Sequence, residues 1–145
     1  MKEEKIDFVI TWVDGSDPKW LKEKSKYDNK KDINNNKCRY RDMETLKYWF
    51  RAVEKNAPWV NNIYFITYGH LPKWLNINHE KLKIIKHIDY IPKEYLPTYN
   101  SNVIELNIHR IKELEENFVL FNDDVFITKE TSKSVFFKNN LPCEE

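Results

Sequence analysis

Apolar, β-rich residues fall along this chain in four short runs, and each run ends at polar or turn-forming residues. The first, Ile6-Asp7-Phe8-Val9-Ile10-Thr11-Trp12-Val13, runs into Asp14-Gly15-Ser16-Asp17-Pro18. The second, Asn62 to Tyr68, closes at Gly69, and the third spans Leu82 to Ile88. The fourth, Phe118-Val119-Leu120-Phe121, stops at Asn122-Asp123-Asp124 before apolar residues resume at Val125-Phe126-Ile127. Runs of this length and composition, bounded by turn formers, predict buried strands.

Two stretches carry a helical period instead. Met43, Leu46, Phe50 and Val53 recur at spacings of three, four and three behind a possible cap, Asp42, and the pattern ends before Pro58. Tyr48, Trp49 and Arg51 fall off that stripe. Asn102, with Glu105 as its reciprocal partner, opens a second predicted helix through about Leu114, whose core face is Ile104, Ile108, Ile111 and Leu114. The stretch 22–38 is rich in Lys, Asn and Asp and reads as a surface loop, 71–75 as a short connector, and 89–99, with Pro92 and Pro97, as an irregular connection. The order β-loop-α-β-β-α-β predicts an α/β fold with a mainly parallel sheet and helices over its faces.

Candidate chemistry gathers where the strands stop. In parallel α/β sheets, ligands bind outside the carboxyl ends of the strands, and paired carboxylates there suit Mg²⁺ or Mn²⁺ on a diphosphate. Asp123 and Asp124 fit that description, and so does an Asn-Asp-Asp hairpin turn. Asp14 and Asp17 repeat the pattern after the first strand, with Gly15 suited to a positive φ or to close approach by a ligand; a plain Asp-Gly turn is the other reading. Arg39 and Arg41 precede a helix amino terminus, where they either face phosphate or, for Arg41, pair with Glu44. Glu105 and His109 are four residues apart on one predicted helix face, so the carboxylate can orient the imidazole and leave it a base. His70 and His87 are given no chemical role.

Composition narrows the field. At 145 residues the chain is about one domain, 41% hydrophobic and 14% aromatic, and its net charge of +1 offers no electrostatic case for nucleic acid. Gly15 and Gly69 are the only glycines, which excludes both a GxGxxG fingerprint and a P-loop. Cys38 and Cys143 have no zinc-like spacing and make a disulfide framework improbable. A charged start, Met1-Lys2-Glu3-Glu4-Lys5, and the absence of long apolar runs point to the cytoplasm. After Phe136-Phe137 no closing helix is expected, so the domain reads as incomplete.

Three blocks taken together resemble the Stealth family of sugar-phosphate transferases: Ile6 to Asp17; Arg39-Tyr40-Arg41-Asp42 through Ala57-Pro58-Trp59-Val60-Asn61-Asn62-Ile63-Tyr64; and Leu96-Pro97-Thr98-Tyr99-Asn100-Ser101 through His109-Arg110-Ile111 to Asn122-Asp123-Asp124. They correspond to the first two conserved regions of that family, which includes bacterial capsular polysaccharide phosphotransferases and the animal enzyme that adds N-acetylglucosamine 1-phosphate to lysosomal glycoproteins. The resemblance implies a nucleotide-diphosphosugar-transferase-like fold, of which residues 1–145 form a single, amino-terminal part. It implies transfer of hexose 1-phosphate from a UDP-sugar to a hydroxyl of a polysaccharide acceptor, with release of UMP. It also implies roles. Asp14, Gly15 and Asp17 would lie against the donor, with Arg41 nearby. Asn100, Ser101 and Arg110 would meet its phosphates or sugar, and His109 would be general base or phosphate contact. Asp123, with Asp124, would bind Mg²⁺ or Mn²⁺. Members of the family continue into third and fourth conserved regions that this sequence does not reach. The alternative expectation is therefore a non-catalytic nucleotide-sugar-binding module, or one completed by a further polypeptide; capsule synthesis adds peripheral association with the inner membrane face.

Overall fold

In a computed structural model, which describes residues 5–27 and 44–143, the predicted strands form one sheet. Strands β1 (Asp7–Trp12), β2 (Ile63–Thr67), β3 (Leu82–Lys86) and β4 (Phe118–Phe121) lie in the order β3-β2-β1-β4, and every pairing is parallel. The register sets Phe8 beside Ile63 and Val119, and Ile10 beside Phe65 and Phe121.

The two faces of the sheet are covered separately, as the alternation along β1 requires. Phe8, Ile10 and Trp12 point to one face, where Leu46, Trp49 and Val53 of helix α2 (Leu46–Asn56) pack with Phe65 and Phe121. Val9, Tyr64 and Ile66 point to the other, against Tyr90, Ile91, Ile104, Ile108 and Ile111. These come from helix α3 (His87–Tyr90), helix α4 (Ser101–Leu106) and the segments that follow them.

Several local expectations change. Pro18–Lys24 forms helix α1, so the polar stretch begins as a helix; Asp17 caps it by accepting the Trp20 N–H at 2.7 Å, and Pro18 occupies the first turn. Trp49 is fully buried, because it stands three residues after Leu46 and four before Val53, within the same helical face. Thr45 occupies the N-cap position of α2; the proposed cap Asp42 lies outside the described residues, as do Met43, Arg39, Arg41 and Cys38. Cys143 is a free thiol.

The second predicted helix is shorter and starts earlier than its apolar period suggests. Asn100, not Asn102, caps α4 through the Asn102 N–H, and α4 gives way to a 3-10 turn at Ile108–Arg110. Asn107 ends it, its side-chain amide donating to the Val103 carbonyl at 2.8 Å. Past β4, the chain folds back over α2: the Asn56 amide donates to the Ile127 carbonyl at 2.7 Å and the Trp59 indole N–H to Thr131 O at 2.6 Å. A two-residue hairpin loop, Asn139-Asn140, with φ of 55° and 60°, then joins β5 (Phe137–Lys138) to β6 (Leu141–Pro142). Among the described residues no helix is long and apolar enough to cross a membrane.

Candidate functional site

Strand order marks the place for a candidate site. From β1 the chain steps outward through β2 to β3, then crosses to place β4 on the other side of β1. The direction of winding reverses between β1 and β4, and a doubly wound sheet binds its ligand in the crevice at such a point, beyond the strand carboxyl ends. The Asp14–Asp17 loop leaves β1 there, and the Asn122-Asp123-Asp124 segment leaves β4.

The β4 exit is a turn, closed by the Val125 N–H donating to the Asn122 carbonyl at 3.2 Å. It is not the turn of a hairpin. The apolar residues beyond it pack toward α2, Ile127 being buried there, and among the described residues no strand returns along β4. Asp123 and Asp124 are both exposed on this turn. Among the described residues, no cluster of three or more His, Cys, Asp or Glu side chains forms a metal site. A ready-made protein cage is therefore absent from these residues, but the donor set fits one particular ion chemistry. Mg²⁺ is commonly held by one or two carboxylates, with waters and substrate phosphates completing the shell.

The loop after β1 is tightly bonded. The Asp14 carboxylate accepts from Ser16 N at 2.8 Å and from Ser16 Oγ at 2.6 Å. Partial burial pushes its carboxyl up, but the two Ser16 bonds and nearby His70 outweigh this and hold it below the ordinary value. Asp17 is engaged as the α1 cap. Gly15 does not take a positive φ; the glycine that does is Gly69, at 141°.

Sequence reasoning passed over His70, and the structure joins it to this loop. The Asp14 backbone N–H donates to His70 Nε2 at 2.6 Å, across 56 residues of sequence. Burial holds the His70 imidazole below its usual value even though Asp17 and Asp14 draw it upward. Behind it, His87 is buried, its Nδ1 has no hydrogen-bond partner, and burial, aided by His70, lowers its value to about 4. Neither role has a local sequence signal, since both depend on β1, β2 and β3 lying side by side.

The candidates on α4 and on the 3-10 turn after it are held differently. Tyr99 packs edge-on to Trp20 of α1, with ring centroids 5.7 Å apart, which brings Asn100-Ser101 alongside the helix that follows the β1 loop. His109 is exposed on the 3-10 turn. Its expected pairing with Glu105 is not made, because α4 ends between them and the four-residue helical relation is lost; no hydrogen bond joins the two. Arg110 donates through Nε to Asn107 Oδ1 at 2.9 Å. Arg41 lies outside the described residues. A cavity of about 420 Å³ between α2, Trp74–Asn76 and the starts of β2 and β3 is lined by none of these candidate residues.

The architecture is thus a parallel α/β sheet with flanking helices, and the polar loops after β1 and β4 leave it at the same edge. Comparison with known proteins makes the class specific: residues 4–32 match Stealth protein CR1, conserved region 1, and residues 39–144 match Stealth protein CR2, conserved region 2. The chain belongs to the Stealth family. It is 67% identical over 139 residues to the capsular polysaccharide phosphotransferase WcwK of Streptococcus pneumoniae, covering 94% of this chain and 42% of that protein. It is 57% identical over 144 residues to the capsular polysaccharide phosphotransferase CpsJ of Streptococcus thermophilus, covering 94% of this chain and 59% of that one. With the receptor polysaccharide phosphotransferase WefC of Streptococcus oralis, it shares 50% identity over 143 residues, covering 95% and 43%. The chain thus spans about half the length of these relatives.

Proposed function

We propose that this chain carries the donor half of a sugar-phosphate transferase site: it binds a UDP-sugar, and hexose 1-phosphate passes to a hydroxyl of a cell-surface polysaccharide with release of UMP. What supports the reading is that two carboxylate-bearing loops leave neighbouring parallel strands, β1 and β4, at the same edge of the sheet, the switch point, in a Stealth protein. Strand-end carboxylates at such a point suit a nucleotide diphosphate, and the relatives are named polysaccharide phosphotransferases.

In this reading the Asp14–Asp17 loop lines the donor with ordered backbone and side-chain groups, and Asn100-Ser101 flanks it from the start of α4. Arg110, with Arg41, bears on phosphate charge. His109 takes the proton from the acceptor hydroxyl as its oxygen bonds to the phosphorus attached to the sugar; the bond from that phosphorus to the bridging oxygen breaks, and UMP leaves with the electron pair. Asp123 and Asp124 would hold a divalent Mg²⁺ or Mn²⁺ ion, which supplies charge neutralisation to the diphosphate. The exposure of His109 leaves it accessible to an acceptor, and its lack of a Glu105 partner leaves both ring nitrogens available.

The test is chromatography of the nucleotide released from a UDP-sugar in the presence of Mg²⁺ or Mn²⁺ and acceptor polysaccharide. UMP supports the proposal. UDP would identify an ordinary glycosyltransferase, and calorimetric binding without any release would identify a nucleotide-sugar-binding module that needs a further polypeptide.

A further inference from the structure

Within that reading, on which this inference rests, one residue outside the predicted site holds the donor loop in shape. His70 is fastened at three points. Its carbonyl accepts from Thr67 Oγ1 at 2.7 Å, and that hydroxyl accepts in turn from the Gly69 N–H at 3.3 Å. Its ring stands edge-on to Trp12, centroids 5.3 Å apart, and tilted beside Tyr68 at 6.2 Å. Its Nε2 meets the Asp14 N–H at 2.6 Å. Thr67 is fully buried, and Gly69 makes the reversal with a φ of 141° that side-chain-bearing residues rarely adopt.

The partner fixes the chemistry of the ring. A backbone N–H can only donate, so Nε2 must be the unprotonated nitrogen, and the neutral ring carries its proton on Nδ1. From that bond the order passes along the loop: the Asp14 backbone is held by His70, the Asp14 carboxylate holds Ser16, and Asp17 holds the first turn of α1. A loop so fixed before the donor arrives loses little conformational freedom on binding.

We propose that His70 is a positioning residue for the nucleotide-sugar, acting through the Asp14 N–H to keep the Asp14–Asp17 loop in its donor-binding shape. Removing the acceptor leaves a partly buried N–H unsatisfied and frees the loop, which weakens donor binding by about tenfold. A glutamine at the same position supplies an amide oxygen that can accept the same bond without titrating.

Calorimetry of UDP-N-acetylglucosamine with Mg²⁺ on the full chain tests this. His70→Ala is expected to weaken binding about tenfold and His70→Gln to restore it to within about threefold of wild type. A second measurement needs no variant: the imidazole ¹⁵N shifts of wild-type His70 at neutral pH should report an unprotonated Nε2. Donor affinity unchanged in His70→Ala, no recovery in His70→Gln, or a protonated Nε2 overturns the positioning role while leaving the functional proposal standing. A wild-type chain that binds no UDP-sugar overturns the functional proposal and the donor-positioning role with it.

Discussion

Asp7 tests the construction of the sheet on which the site depends. It is fully buried in β1, the strand between β2 and β4. Its Oδ1 accepts from Asn61 Nδ2 at 2.7 Å and from the Asn62 N–H at 3.0 Å; its Oδ2 accepts from the Glu115 N–H at 2.9 Å. One carboxylate thereby ties the amino end of β1 to the lead-in of β2 on one side and of β4 on the other. Asp7→Ala strips the acceptor from three donors at once. An unsatisfied buried donor costs about 1–3 kcal/mol, and water entering the vacated space relieves part of that, so the expected loss is about 3–5 kcal/mol. Against a typical domain stability of about 5–15 kcal/mol this is a large fraction. Asp7→Asn keeps the shape but sets an NH₂ against one of the donors, with an expected loss of about 1–3 kcal/mol. Urea unfolding followed by tryptophan fluorescence measures both, since Trp12, Trp20 and Trp49 are buried. A loss below about 1 kcal/mol for Asp7→Ala at unchanged m-value would refute the reasoning.

Other perturbations separate other parts of the account. His87 has a folded value of about 4, below its ordinary 6.5, so the unfolded chain takes up the proton first as pH falls. The neutral ring's contribution is complete above about pH 6.5 and is lost between there and about 4. Moving from pH 7.5 to 5 should cost about 2 kcal/mol, and His87→Phe should remove that part of the slope in urea titrations at the two pH values. Gly69→Ala meets no atom within 4 Å of the added carbon, so its cost is backbone strain alone, about 1–3 kcal/mol in the same assay. Asp123→Asn and Asp124→Asn should each lower metal-dependent UMP release by about two orders of magnitude while the far-ultraviolet circular dichroism stays that of the folded chain.

The sheet and α2 were legible because their signals are local: short apolar runs bounded by turn formers, and one clear helical face. Helix α1 was obscured by the lysines that follow it, although Asp17-Pro18 carried the signature of a cap followed by a first-turn proline. The period of Ile104, Ile108 and Ile111 was real, and all three are buried. It overstated the helix because a core-facing stripe survives the change to a 3-10 turn at Ile108, while the side chain of Asn107, which ends α4, donates back to the Val103 carbonyl. The strand-end carboxylates Asp14, Asp17, Asp123 and Asp124 could be picked out since each follows an interrupted apolar run. The bonds of the Asp14 carboxylate to Ser16 could not. Asp7, His70 and His87 acquire their roles only from strand order, over separations as long as 108 residues for the bond from Glu115 to Asp7, and no pattern along the chain records such a neighbour.

The central claim, that phosphorus rather than the sugar carbon is the centre attacked, is tested most directly by ³¹P NMR of acceptor polysaccharide after incubation with the protein, a UDP-sugar and Mg²⁺. A phosphodiester resonance on the polysaccharide, growing in step with UMP, is the predicted result. Sugar attached without phosphorus, with UDP in solution, would contradict it.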